Sequence, residues 1–224
     1  MLDLLWACIP VAIMIVIYIR WTQDRVTLFY ALARMLVQLI LIGYVLTYIF
    51  TSESPYLVIL ILSVMLVAAS IISLRPMQHK HKALYFKAFA SIAVGGLFTL
   101  VMIIFGVLNL NPWYEAKFLI PLAGMIFANS MNAVSIAAER YESEVERDNT
   151  YVDARATAYR ASLIPIINAL FAVGLVSLPG MMTGQILSGI DPLIAVRYQM
   201  MVMLMILGSA GISVAVYLVL LKGK

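Results

Sequence analysis

The sequence predicts an all-α polytopic membrane bundle of about seven transmembrane helices, N-terminus outside and C-terminus cytoplasmic. Three observations predict it. The 224 residues are 64% hydrophobic and 12% charged, with mean hydropathy +1.01, whereas a soluble domain carries about 25% charged residues. Apolar runs of the ~20 residues needed to cross a bilayer recur along the chain. The basic residues gather in alternate connections, as the positive-inside rule requires. The spans fall at roughly 3–19, 27–50, 56–74, 84–107, 118–138, 162–180 and 192–221. They leave no room for a sizeable soluble domain, so residues 1–224 form a single transmembrane domain in this reading.

The first run, MLDLLWACIPVAIMIVIYIR, has an acidic residue where a signal peptide has a basic one, and no clear small-residue cleavage site. It is expected to be a retained helix. Arg20 and Arg25 follow it; Arg75, Lys80, Lys82 and Lys87 follow the third; Arg140, Arg147, Arg155 and Arg160 follow the fifth; Lys222 and Lys224 follow the seventh. The alternate connections hold only Lys117. This places the connection at 139–161, which mixes both charge signs and reads as helical, in the cytoplasm and the stretch at 178–189 near the outer face. The net charge of +4 is spread between apolar runs, so no nucleic-acid partner is expected. The lone Cys8 makes no intrachain disulfide and no metal pattern.

The second span carries Arg34, the most interior charge, with Gln38 one turn on. Arg34 either snorkels to the interface or faces a polar cavity. The fifth span contains GMIFANSMNAVSIAAER, with Asn129, Ser130, Asn132 and Ser135. Amides in an apolar helix need partners, supplied across a helix seam or along a translocation path; Gly124 and Ala128 would allow close approach. The sixth span has Pro165, expected in its first turn, and Asn168. It ends in LPGMMTGQ, where Pro179, Gly180, Met181, Met182, Thr183, Gly184 and Gln185 suggest a re-entrant or interfacial segment acting as an outer gate. In that reading the methionines plug the path, Thr183 and Gln185 satisfy backbone or face cargo, and protein covers the segment. A tightly packed external turn is the alternative. The seventh span opens on Asp191-Pro192, an N-cap with proline at the first helical position. Its Met200, Met201, Met203 and Met205 point around the whole helix and suit adaptable packing.

No carboxylate lies well inside an apolar run, which argues against a proton relay. His79 and His81 in QHKHK are better explained as a solvated basic loop than as a metal pair. No G-x-x-x-x-G-K-[ST], H-E-x-x-H, C-x-x-C or G-x-S-x-G occurs, so neither an ATPase nor a hydrolytic site is indicated. No lysine precedes Lys222 in the seventh span, which removes a retinal-type Schiff base.

The segments ARMLVQLILIGYVLTYIF, IPLAGMIFANSMNAVSIAAER, SLIPIINALFAVGLVSLPGMMTGQILSG and DPLIAVRYQMMVMLMIL resemble the FetB-type ABC permease family. Its bacterial members are assigned to iron export and its plant members to aluminium tolerance and UDP-glucose transport. The resemblance runs from Ala33 to Leu207, with GLVSLPGMMTGQILSG its most specific part. It implies an inner-membrane permease working as a homodimer with a separate ATP-binding subunit. ATP would be bound by that partner and no cofactor by this chain. Arg34, Gln38, Asn129, Ser130, Asn132 and Asn168 would line the path. Glu139, Arg140, Glu144, Arg147, Arg155 and Arg160 would contact the ATPase. DARATAYRA stands where the family has a longer Leu-Gly-Ala turn, so the coupling element is shortened. Iron favours carboxylate, imidazole or thiolate ligands, and the spans offer amides, hydroxyls, thioethers and carbonyls, so the metal ligands stay unassigned. An ATP-independent channel or carrier, or a membrane subunit that transports nothing, are the alternatives.

Overall fold

The computed structural model describes residues 4–23, 26–51 and 54–222. They are mostly helical, with no strand among the described residues beyond an isolated bridge between Val173 and Ser177. Two units emerge, Met1–Ser52 and Glu53–Lys224.

The first unit holds α1 (Leu4–Thr22) and α2 (Val26–Thr51). Pro10 lies inside α1 and Arg20 in its last turn, where a cation complements the helix dipole. Thr22 and Thr47 turn their hydroxyls back onto the carbonyls of Tyr18 and Gly43, at 2.8 and 3.0 Å. A hydroxyl satisfied within its own helix adds no polar demand to an apolar surface.

The second unit contains α3 (Pro55–Ser73), α4 (Lys82–Val101, prolonged by a π-helical segment, Met102–Leu108), α5 (Ala116–Val145), α6 (Tyr151–Ala172), α7 (Gly180–Leu187) and α8 (Pro192–Leu220). Helices α5 and α8 sit at the centre: α5 packs on α3, α4, α6 and α8, and α8 on α4, α5, α6 and α7, while α4 also packs on α3. The seams are made of small residues. Helix α6 buries Ala154, Ala158 and Ser162 at four-residue spacing. Helix α4 buries Ser91, Gly95 and Thr99 in the same way, and α5 buries Ala133 and Ala137. In lipid, where apolar side chains gain nothing by leaving water, such close backbone approach is what favours association. The seam hydroxyls of Ser70, Ser91 and Thr99 bond to Leu66, Ala88 and Gly95 on their own helices.

The tightest approach is at Gly95 and Gly96. A Cβ on Gly95 would collide with the Ser213 side chain and lie 2.7 Å from the Ser213 nitrogen and 2.8 Å from the Ser209 carbonyl oxygen. On Gly96 it would lie 2.8 Å from the Phe127 ring. Large apolar side chains such as Tyr56, Phe86, Phe98, Phe105 and Leu204 instead point outward, as they do on a bundle solvated by lipid.

Among the described residues, five helices are long and apolar enough to cross a membrane: Val26–Thr47, Pro55–Ser73, Lys82–Leu108, Ala116–Val145 and Pro192–Leu220; Ile9–Thr22 is a shorter apolar stretch. The expected sixth span, 162–180, needs correction. Its helix starts at Tyr151 and stops at Ala172. Thr150 caps it by accepting from the Asp153 N–H, and this cap lies within what hydropathy marks as a polar loop. Pro165 is therefore mid-helix, not in the first turn. The connection at 139–161 is mostly helix, as its mixed charges suggest, because α5 continues to Val145 and α6 begins at Tyr151.

One end of this unit gathers the 74–81 connection, the end of α5, the start of α6 and the end of α8. The Gln78 and His79 N–H groups donate to Glu142, the Tyr151 hydroxyl donates to the Leu218 carbonyl, and the Tyr217 hydroxyl reaches Met77. Arg75, Lys80, Lys82, Arg140, Arg147 and Arg155 lie on these elements, making it the basic end. The opposite end holds Leu108, Lys117, α7 and the start of α8.

Gly95→Ala should destabilise the bundle by about 1–3 kcal/mol, the usual effect of overpacking, seen as a lower melting temperature in detergent. Gly208→Ala, whose Cβ would meet nothing within 4 Å, should leave melting unchanged or slightly raised.

Candidate functional site

At the end opposite the basic connections, α7 separates two clefts. One, of about 440 Å³, is lined by Leu170, Val173, Met182, Gln199, Met200 and Met203 among others. The other, of about 270 Å³, is lined by Lys117, Met125, Met181, Gln185, Tyr198 and Met201 among others. Met181 and Met182 thus serve different clefts, because neighbouring residues on a helix point about 100° apart. They do not form one plug.

Each cleft holds one buried amide oxygen without a partner, Gln199 Oε1 in the larger and Gln185 Oε1 in the smaller. A buried acceptor left unpaired loses about 1–3 kcal/mol of solvation, so its presence in a mostly apolar wall has to be explained. Gln199 is 6% exposed. It lies within the methionine-rich run read from sequence as adaptable packing, and nothing in its spacing sets it apart. Its burial alone reveals it.

The stretch 178–189 contains a short helix, and none of the residues of α7 is buried. The expectation that protein covers it is not met in the single chain. Thr183 satisfies backbone, donating to the Pro179 carbonyl at 3.1 Å. Gly180 and Gly184 are open, since a Cβ on either meets nothing within 4 Å. The glycines with left-handed backbone are Gly174, at φ +84°, and Gly189, at φ +87°, which bracket the segment. Leu175, Val176, Leu178 and Leu187 are exposed around it.

The other expected path residues are scattered. Ser130 is fully buried in α5 and its hydroxyl has no partner. Asn129 is half-buried and donates to the Met125 carbonyl of its own helix at 2.8 Å, so this bond is not interhelical glue. Asn132 on α5 and Asn168 on α6 are exposed. In the first unit, Arg34 is half-buried and Gln38 exposed on α2.

At the basic end, the expected coupling residues divide. Arg140 and buried Glu144 form an ion pair at 2.6 Å, and Asn149 also donates to Glu144. Together they staple the turn between α5 and α6. Glu139, Arg147, Arg155 and Arg160 remain exposed, Arg155 resting 5.3 Å from the Tyr151 ring centroid. Val145 and Val152 are exposed beside them. Glu142, beyond the apolar part of α5, was not anticipated. Its carboxylate accepts from the Gln78 N–H at 3.0 Å and the His79 N–H at 2.9 Å.

A family model described as Uncharacterised protein family (UPF0014) matches residues 1–224. The chain belongs to the UPF0014 family. It is 36% identical to the Probable iron export permease protein FetB of Escherichia coli over 207 residues, 84% of this chain and 78% of that one. To the UPF0014 membrane protein slr1647 of Synechocystis it is 34% identical over 206 residues, 84% and 80% of the two chains. To the Protein ALUMINUM SENSITIVE 3 of Arabidopsis thaliana it is 28% identical over 221 residues, 91% and 80% of the two. No solved structure matches the chain. Family membership and the apolar helices make it an integral membrane protein.

The open and left-handed glycines should respond with opposite sign. Gly184→Ala should be neutral or stabilise by up to ~1 kcal/mol, the helix-propensity gain. Gly189→Ala should destabilise by about 1–2 kcal/mol, because a Cβ is strained in left-handed backbone. Paired thermal melts in detergent measure both.

Proposed function

We propose that this chain is the membrane permease subunit of an ABC-type exporter of metal cations, iron foremost, acting as a homodimer with a separate ATP-binding subunit in a bacterial inner membrane. The observation that carries this reading is the division of labour between the two ends of the second unit. One end presents a stapled helical hairpin with exposed arginines and valines, a surface suited to a soluble partner. The other presents two clefts whose only buried unpartnered side-chain atoms, among the described residues lining them, are glutamine oxygens. The relative named as a probable iron export permease supports the cargo class.

The basic end is the cytoplasmic one by the positive-inside rule. ATP closure of the partner subunits would press on the α5–α6 hairpin through Glu139, Arg147, Arg155 and Arg160, with Arg140 and Glu144 keeping it rigid. The motion would reach the clefts along α5 and α6. There Gln185 and Gln199 offer carbonyl oxygens and the methionines thioethers. That set contains no carboxylate or imidazole, so a hard or borderline cation is held weakly, as transit requires. Helix α7, between Gly174 and Gly189, is the outer gate. Exposed Asn132 and Asn168 support a second copy, since amides facing hydrocarbon need protein partners. Seven crossings, with α1 and α6 completing the five apolar spans, are part of the same proposal.

Co-reconstitution with the cognate ATPase in vesicles tests this. ATP-dependent movement of Fe²⁺ out of the compartment facing the ATPase is expected. Equal flux without the ATPase would establish a carrier or channel instead. Gln199→Met should raise the melting temperature, by removing an unpaired buried acceptor, while lowering flux severalfold. A variant that is more stable and fully active would remove Gln199 from the path.

A further inference from the structure

At the basic end, the chain brings three metal-ligating side chains together from segments far apart in sequence. His79 Nδ1 lies 3.2 Å from Glu142 Oε1 and 4.0 Å from Glu146 Oε1. Ligand atoms from all three residues lie within 4.8 Å of one another, the one such trio found among the described residues. A first-row divalent cation bonds nitrogen and oxygen at about 2.0–2.2 Å, so its ligand atoms stand roughly 3–4.4 Å apart. The trio is already near that spacing. Only small side-chain rotations separate it from a shared ion.

The site is built by backbone. Glu142 accepts from the Gln78 N–H through one oxygen at 3.0 Å and from the His79 N–H through the other at 2.9 Å. Each carboxylate oxygen keeps a further lone pair, so these bonds orient the ligand without consuming it, as outer partners do in metal sites. Glu146 follows Glu142 by one helical turn and so shares its face. Lys80, next to His79 in sequence, turns its ammonium onto the Arg75 carbonyl at 2.9 Å and forms no ion pair with either carboxylate. His81 stands at the N-cap position of α4, with no side-chain cap bond, and is not part of the trio.

We infer that His79, Glu142 and Glu146 form a binding site for a first-row divalent cation at the basic end of the bundle. One imidazole and two carboxylates suit Mn²⁺, Fe²⁺, Co²⁺ or Zn²⁺, with water completing the coordination. This is the ligand chemistry that the clefts at the other end lack. If the chain exports cations, the ion is first held here and then released toward a weaker path. That role rests on the proposed function; the binding does not.

Titration calorimetry with Zn²⁺, and with Co²⁺ followed by its visible absorption, tests the site on the full chain purified in detergent without a histidine tag. One equivalent is expected to bind. His79→Ala and Glu146→Gln should each weaken binding by ~10-fold or more, the scale seen when metal sites lose a supporting group. His81→Ala should not. Both altered residues are more than half exposed at the side chain, so folding should survive, checked by an unchanged elution profile. No binding by the parent chain, or an isotherm unchanged in either variant, overturns the site. Loss of binding with ATP-driven export intact would refute the entry role alone. Binding intact with no export under any condition would refute the transport reading and leave the site standing.

Discussion

The second unit depends on how closely α4 approaches its neighbours. Gly95 lies against the backbone of α8 at Ser209 and Ser213, and Gly96 against the ring of Phe127 on α5. No side chain larger than hydrogen fits between them. Because lipid gives apolar residues little reason to cluster, this contact draws mainly on dispersion; the Ser209 hydroxyl keeps its bond within α8, to the Ile206 carbonyl, while the buried Ser213 hydroxyl has no partner. It holds α4, α5 and α8 as a scaffold. The α5–α6 hairpin, the connection carrying His79 and the α7 segment are all placed by their attachment to it.

The two ends then differ in chemistry for reasons that belong to their settings. At the basic end, water is near and charge is tolerated, so Arg140, Glu144 and Asn149 can staple a turn while Glu142 anchors a connection through two backbone N–H groups. At the other end, the walls are mostly methionine, aliphatic and aromatic, and side-chain polarity is confined to Gln185, Gln199, Lys117 and the Tyr198 hydroxyl. A cation held strongly by imidazole and carboxylate and then weakly by amide oxygens would meet an affinity gradient along the bundle. In the proposed exporter, ATP used by the partner subunit would drive the step between the two.

Much of the fold was legible in the sequence. Long apolar runs marked α2, α3, α4, α5 and α8, and Asp191-Pro192 marked the start of α8, where Asp191 accepts from the Leu193 N–H at 2.8 Å. Helix α6 was misplaced because half of it is polar. Its Thr150-to-Asp153 cap carried the correct start, but hydropathy outweighed it. The LPGMMTGQ stretch stood out by composition, yet the backbone that needs glycine lies outside it, at Gly174 and Gly189. The candidate sites were less legible. His79 and Glu142 are separated by 63 residues, and Gln199 lies among methionines that follow no single face. Neither a distant partner nor a buried unpaired oxygen leaves a local pattern.

The central claim is that α7 moves against a scaffold fixed at the α4–α8 contact. Spin-label distances on the chain assembled with its ATPase, with Cys8 replaced, test it most directly. Labels at Leu187 and Lys117 report on α7, and labels at Leu97 and Leu204 on the scaffold. Between the nucleotide-free and ATP-trapped states, the account predicts a shifted Leu187–Lys117 distribution and an unchanged Leu97–Leu204 distribution. A fixed Leu187–Lys117 distance alongside ATP-driven flux would contradict it.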